Sequence, residues 1–489
     1  MPASAEETEP SASMSIRATR AVAWVTAEKI LQQVIWLLLF LILAPILGPR
    51  VYGLVAMAMI FVGMLELVVI DAASEALLNI AHPEPSHFST ALTSNLVLGC
   101  GFSVGLFLLA DPIARSLGEA ELAPVIAALA PLTALGAATA VPIAVLKRAI
   151  AFRPLAIRSI VGLLIGGAVG ISFALSGMGI WSLVGQALAQ RVAEVAILWL
   201  SNPQRVSFAW SARHFRELRG FAAHVMVSRS AAFIGGQVPR LIIGIVLGPY
   251  ALGLYTLASR VVEALTQAVI VPQSIVARVT LIGLQSNPSR LAESYKLALS
   301  KLALLAFPIF CGFAAILAPL FRVALDVRWR DAILPAQILT LSGIAMAFMY
   351  LGSALLFARG AAHVEARFAT LQTAASAVIL LIAAPYGLVA AAIGIAVRIV
   401  ILLPIGWVII ERTTGIRVVD QVRATGPLLG AAITMFGAVI ATEAVIGKTV
   451  PTVLEIPVLV GVGVLVYSGL AFLVAPSGCR EIWTRICRL

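Results

Sequence analysis

The chain has 489 residues, 61% of them apolar and 12% charged, with a formal charge of +11 at pH 7. That charged share is about half of what a soluble domain carries, and the apolar residues come in repeated blocks of about 20, the length that crosses a bilayer. An ordinary soluble protein is excluded, and the class is a polytopic membrane protein.

Residues 1–20 read as a cytoplasmic tail, with Glu6, Glu7 and Glu9 ahead of Arg17 and Arg20. The first apolar span is too long for a cleaved signal sequence. Runs bounded by Gly, Pro and charge predict helices over 21–46, 51–70, 90–110, 123–146, 157–176 and 180–200. A basic linker over 201–220 follows. A second set is predicted over 221–247, 251–271, 297–319, 332–357, 369–386 and 388–410. Beyond a linker, two more appear over 427–447 and 456–475, before a tail at 476–489. The expected fold is all-α, with about fourteen membrane helices. They form two pseudo-symmetric six-helix lobes, 21–200 and 221–410, and two helices appended within 411–475.

Charge in the loops sets the orientation. Inside loops collect most of the Lys and Arg, among them Arg17, Lys147, Arg148, Arg213, Arg216, Arg290, Arg412 and Arg480. Outside loops hold only Arg50, Arg115, Arg322, Arg328, Arg330 and Lys448. The positive-inside rule then puts both termini in the cytoplasm and accounts for the net charge without nucleic acid. The loop at 71–89 is assigned inside although it carries no Lys or Arg. The longest loop, Pro272 to Lys296, leaves no room for a soluble catalytic domain.

An internal repeat is the most informative pattern. Leu47-Gly48-Pro49 followed by Gly53-Leu54 returns, displaced by 200 positions, as Leu247-Gly248-Pro249 followed by Gly253-Leu254. Gly-Pro ends one helix and the second glycine permits a close reversal, so each copy reads as a hairpin between two helices. Lys29 and Arg229 stand at matching places ahead of the two motifs, and Gly179 to Arg191 echoes Gly387 to Arg398. Six helices separate the copies, so the lobes share one orientation, which suits alternating access along a path between them.

These motifs resemble the polysaccharide transporter family, the Wzx-type oligosaccharide flippases of the multidrug/oligosaccharidyl-lipid/polysaccharide exporter superfamily. The resembling residues are the two L-G-P-x-x-x-G-L hairpins, Leu257-Ala258-Ser259-Arg260, and the G-x-G-I-W turn at Gly177 to Trp181. Arg328-Trp329-Arg330-Asp331-Ala332 and Ala336-Gln337-Ile338-Leu339 complete the likeness, which runs from about residue 15 to about residue 475. The resemblance implies a carrier in the bacterial cytoplasmic membrane that moves undecaprenyl-pyrophosphate-linked oligosaccharide between leaflets for polysaccharide assembly. It also implies work alongside a polymerase and a chain-length regulator, and membrane cations that receive the anionic headgroup.

An ionisable side chain at mid-bilayer costs about 2.5–3.5 kcal/mol on insertion scales, so each needs a partner, water or a function. Arg191, Arg240, Arg260 and Arg398 fall well inside predicted spans and are the candidate diphosphate ligands, because guanidinium forks match phosphate oxygens. Local pairing competes, since Glu194 and Glu263 stand three residues after Arg191 and Arg260. Lys29 and Arg229, nearer the cytoplasmic ends, are candidate entry clamps or snorkelling residues. Glu28, Glu66 and Glu263 are the candidate acids for coupling to protons or Na+. Gly162, Gly166 and Gly170 predict close helix packing. Pro45, Pro131, Pro142, Pro239, Pro308 and Pro404 are candidate bend points.

Other motifs fail. Gly447-Lys448-Thr449 lacks the upstream glycine of a phosphate-binding loop, which is Thr442 here. Cys100, Cys311, Cys479 and Cys487 show no C-x-x-C spacing. His82, His87, His214, His224 and His363 are scattered along the chain, so neither a metal site nor a bound cofactor is expected. A multidrug-type exporter is the first alternative, but it calls for an acidic, aromatic pocket. A membrane polymerase or glycosyltransferase is the second, and the longest outside loop, Phe321 to Asp331, is too short for one.

Overall fold

The computed structural model describes residues 12–202, 207–447 and 451–474. The tail at 476–489, Glu6, Glu7, Glu9, Arg205, Lys448, Cys479 and Cys487 lie outside them. Every regular element among the described residues is helical, as the hydrocarbon core demands of a chain that must satisfy its own backbone groups.

Twelve helical segments are long and apolar enough to cross a membrane. Two of them, Leu31–Asn79 and Phe233–Gly283, are 49 and 51 residues long, each more than two crossings need. The first lies in helix α1 (Ala12–Asn79) and the second begins in α7 (Ala212–Leu265) and runs on past its end, and each contains one copy of the Gly-Pro motif. Helix α1 breaks at Gly48 (φ 75°, ψ 170°) and α7 at Gly248 (φ 79°, ψ −178°). This is one backbone conformation used twice, and it suits glycine. The expected fourteen helices count the arms of these two bent elements separately.

Contacts divide the chain into two compact units. The first holds residues up to Leu47 and Leu54–Gln237; the second holds Gly48–Gly53 and everything from Val238. The chain therefore passes from one unit to the next within α7, not within the 201–220 linker, and the first repeat hairpin belongs to the second unit.

In the first unit, α1 is followed by α2 (Pro85–Ser116), α3 (Leu122–Leu129), α4 (Pro131–Arg148), α5 (Phe152–Leu175) and α6 (Trp181–Leu200). The single helix expected over 123–146 is divided at Ala130–Pro131. The expected loop at 71–89 shrinks to residues 80–84, because α1 runs on to Asn79 and α2 starts at Pro85. Arg148, at the end of α4, caps the last turn of α1 by donating to the carbonyls of Leu77 (3.0 Å), Ile80 (2.7 Å) and Ala81 (3.0 Å). Beneath this loop Leu77, Phe88, Leu92, Val141, Val145 and Leu218 form one buried cluster. Helices α5 and α6 pack through the glycine stripe: a Cβ at Gly162 would lie 2.7 Å from Glu194 Cγ, and one at Gly166 2.7 Å from the Gln186 carbonyl oxygen.

In the second unit, α7 passes through a π-turn (Thr266–Ile270) into α8 (Val271–Gly283), and α9 (Pro288–Ala324) follows. Most of the expected long loop at 272–296 is therefore helix. Apolar runs end where the bilayer ends, whereas these helices continue with polar residues beyond it. Helices α10 (Ile333–Ala358), α11 (Ala362–Ala383), α12 (Leu388–Thr414), α13 (Val418–Ile446) and α14 (Thr452–Val474) complete the unit. Helix α9 packs on α10, α13 and α14, and α12 on α10 and α11. Pro239, Pro308 and Pro404 lie inside continuous helices.

The two repeat hairpins meet inside this unit. Any Cβ at Gly53 would collide with the Pro249 carbonyl oxygen, and any Cβ at Gly253 with that of Pro49. Over this crossing lies a 3-10 turn, Val327–Ala332, started by Asp326, whose side chain accepts from the Arg328 N–H at 3.2 Å. The Arg328 guanidinium covers Gly48. Trp329, fully buried, meets the Tyr52 ring edge-on at 5.7 Å between centroids. Tyr250 donates to the Arg328 carbonyl (3.0 Å) and stands 3.2 Å from Asp331 Oδ2. The two hairpins and the Arg328–Ala332 segment, three of the motifs that carry the family resemblance, thus converge on a structural joint.

Candidate functional site

The charged residues inside the spans gather in two clusters, one per unit. In the first, Arg191 of α6 reaches Glu66 of α1 (Nη2 to Oε1, 2.9 Å) and Glu194 of α6 (Nη1 to Oε2, 3.3 Å). Gln190 donates to the other Glu194 oxygen at 2.9 Å. Both glutamates are buried. Gly136 and Gly162 leave the room they occupy, since a Cβ at Gly136 would stand 3.3 Å from Glu66 Oε1. Arg158 and Glu28 contribute to the same electrostatic field. Lys29 is exposed, as is Arg229 of α7.

In the second unit Arg260 pairs with Glu263 (Nη1 to Oε2, 3.1 Å), and Arg240 approaches the same carboxylate oxygen at 3.9 Å. Arg398 of α12 donates to the Gln372 carbonyl of α11 at 3.0 Å. Buried Tyr255 lies in the field of both Arg240 and Arg398. Arg240 and Arg260 thus share the Glu263 carboxylate, and Arg240 and Arg398 flank Tyr255.

Both i, i+3 pairs expected from the sequence are formed. Arg191, grouped by sequence with Arg240, Arg260 and Arg398, has two carboxylates of its own unit as partners. Glu66 was legible as a coupling acid within a span but not as a partner of Arg191, because the two come from helices far apart in the chain.

Helices α9, α13 and α14 enclose a groove of about 950 Å³, lined by Leu304, Pro308, Phe313, Met435, Leu459 and Tyr467 among others. Its walls are almost wholly apolar, which fits a hydrocarbon chain and excludes a sugar.

A third grouping escaped sequence reasoning. His87 at the start of α2 and His214 at the start of α7 bring their rings to 4.3 Å between centroids, with Glu84 and Glu217 beside them. Hydrogen bonds from His87 and then Arg213 hold the Glu217 carboxyl below the usual carboxylate range.

A family model described as "Polysaccharide biosynthesis protein" matches residues 42–334. The succinoglycan biosynthesis transport protein ExoT of Rhizobium meliloti (strain 1021) is 28% identical over 291 residues, which cover 60% of this chain and 59% of that one. The teichuronic acid biosynthesis protein TuaB of Bacillus subtilis (strain 168) is 26% identical over 32% of each chain. The chain thus matches less than two thirds of the length of these relatives. Among solved structures, the lipid II flippase MurJ in an inward closed conformation superposes with a TM-score of 0.74 at 13% identity, covering 92% of this chain and 98% of that one. An inward-facing MATE multidrug transporter of the MOP superfamily gives 0.60 at 15% identity, over 78% and 94%. The fold is that of MOP-superfamily transporters, and with a family model spanning more than half of its length the chain belongs to the polysaccharide biosynthesis protein family.

Proposed function

We propose that the chain is a flippase that translocates undecaprenyl-pyrophosphate-linked oligosaccharide across the bacterial cytoplasmic membrane by alternating access, with both termini cytoplasmic. The observation that carries this reading is the gathering of Arg240, Arg260 and Arg398 about Glu263 and Tyr255, within helices that cross the membrane. Such a cluster is costly in hydrocarbon unless an anion visits it. A diphosphate supplies that anion, and guanidinium groups bind its oxygens in pairs. The apolar groove of α9, α13 and α14 suits the polyprenyl chain of the same substrate. The transport and biosynthesis roles named for ExoT and TuaB support this substrate class.

The pairing of Glu66 and Glu194 around Arg191 favours coupling to an ion gradient, with protons or Na+ as the coupling ion and Glu28 and Glu263 as further acids. Polymerase and chain-length regulator are the partners that would consume the translocated unit. The reading assigns no enzymatic step and no cofactor.

Deleting the gene and quantifying exported polymer and lipid-linked oligosaccharide tests the proposal. A flippase gives loss of polymer with accumulation of completed lipid-linked units on the cytoplasmic face, and Arg260→Ala or Arg398→Ala reproduces it. Truncated lipid intermediates would instead identify a synthetic enzyme. Unchanged pools would leave a small-molecule exporter.

A further inference from the structure

The pairs Glu84-x-x-His87 and His214-x-x-Glu217 are mirror images in sequence, and each sits at the start of a helix, α2 and α7. Residues three apart share a helix face, so each helix start presents one imidazole and one carboxylate to the other. His87 Nε2 lies 2.9 Å from Glu217 Oε2, and His214 Nε2 lies 3.3 Å from Glu84 Oε2. The donor atoms of Glu84, His87 and His214 all fall within 4.8 Å of one another. A tetrahedral zinc ion with bonds of about 2.0–2.1 Å separates neighbouring donors by about 3.3 Å. The two measured pairs match such edges, and the remaining separations among Glu84, His87 and His214 stay within 4.8 Å.

The surroundings orient the donors. The Glu84 N–H donates to His87 Nδ1 at 3.1 Å, so the neutral ring carries its proton on Nε2, the nitrogen that faces Glu217. Arg213 takes the opposite oxygen of Glu217, Oε1, at 3.2 Å and leaves Oε2 for the cluster. Ser86 Oγ lies 3.2 Å from both Glu84 Oε2 and His214 Nε2. The His87 and His214 side chains are only 6% and 12% exposed, and their sequence neighbours Phe88 and Leu218 belong to one buried apolar cluster with Leu77. Two imidazole nitrogens and two carboxylate oxygens form a donor set for a borderline-soft divalent ion.

We infer that Glu84, His87, His214 and Glu217 form a binding site for one divalent transition-metal ion, with Zn2+ the best match, which staples the start of α7 to the start of α2. Ligation through His87 Nε2 moves the ring's proton to Nδ1, so binding displaces the Glu84 N–H from that nitrogen while the imidazole stays neutral. The inference does not depend on which substrate the carrier moves.

The test uses the full chain, purified in detergent through a tag without histidine and stripped with a chelator. Zn2+ titration should give one equivalent per chain and a rise in melting temperature that the chelator reverses. Co2+ should give the intense visible bands of a tetrahedral ion. His87→Ala and His214→Ala should each weaken Zn2+ binding at least tenfold, and Glu217→Gln by about ten- to a hundredfold. His82→Ala, at an exposed site in the same loop, should leave it unchanged. No bound equivalent in the wild-type chain, or binding retained when His87 and His214 are both alanine, would overturn the inference. The wild-type stoichiometry and chelator-reversible melting shift decide the matter even where a variant fails to fold.

Discussion

Gly253 lies directly against the carbonyl oxygen of Pro49, two positions that stand 204 apart in the sequence and that the repeat makes equivalent to Gly53 and Pro249. The reciprocal contact leaves space for no Cβ on either side. Gly253→Ala and Gly53→Ala should each destabilise the chain by about 1–3 kcal/mol or more, because the obstacle is backbone and has no rotamer to yield. Gly101→Ala, where an added Cβ meets nothing within 4 Å, should be neutral to stabilising. Thermal unfolding in detergent, read by fluorescence-detected size exclusion, distinguishes them.

Arg191 brings a positive charge within ion-pair distance of both Glu66 and Glu194. Arg191→Ala should cost about 3–5 kcal/mol, because it strands two buried carboxylates. Arg191→Met combined with Glu66→Gln and Glu194→Gln should recover much of that loss. If the single and triple variants melt alike, the ion pairs are not what the site depends on. Transport in the triple variant then reports whether the acids also couple translocation to an ion.

Filling the apolar groove separates lipid-chain binding from stability. Gly463 lies in its wall, where an added Cβ would meet Val439 Cγ2 at 3.4 Å. Gly463→Phe should reduce polymer export severalfold while leaving the melting temperature unchanged or higher. Full export in this variant would exclude the groove from the substrate path.

Arg148→Ala removes four hydrogen bonds, to the carbonyls of Leu77 and Leu78 in the last turn of α1 and of Ile80 and Ala81 just beyond it. These are orphan acceptors of a helix end beside a favourable cation. The change should cost about 1–2 kcal/mol and raise amide exchange over residues 78–84 while leaving exchange in α5 and α6 unaltered. Exchange that rises evenly across the chain would show a global effect instead.

The spans were legible because hydrocarbon tolerates one kind of residue over one length, and the repeat was legible because Gly-Pro chemistry recurs at matched positions. Hydropathy says nothing about where a helix stops once it leaves the bilayer. For this reason the loops expected at 71–89 and 272–296 proved to be largely the ends of α1 and α2 and the whole of α8. Spacing also showed Arg191 with Glu194 and Arg260 with Glu263, since i, i+3 geometry is local. Glu66 with Arg191, and His87 with His214, depend on helices distant in sequence, and no period in the chain announces them. The Arg328 to Ala332 motif resembled the family without revealing its task. Only the fold shows Arg328 over Gly48 and Trp329 against Tyr52.

A contact in which one residue meets a second, while the counterpart of the second meets the counterpart of the first, has the form of an isologous interface. Gly53 on Pro249 and Gly253 on Pro49 satisfy that form within a single polypeptide. A protein carrying one copy of the repeat makes the same contact only by pairing with another molecule of itself. There, one glycine codon governs both halves of the joint. Once duplicated, the halves mutate independently, yet a side chain gained at either glycine disrupts the joint for both. The two positions are thus under one shared constraint although they no longer share a gene segment.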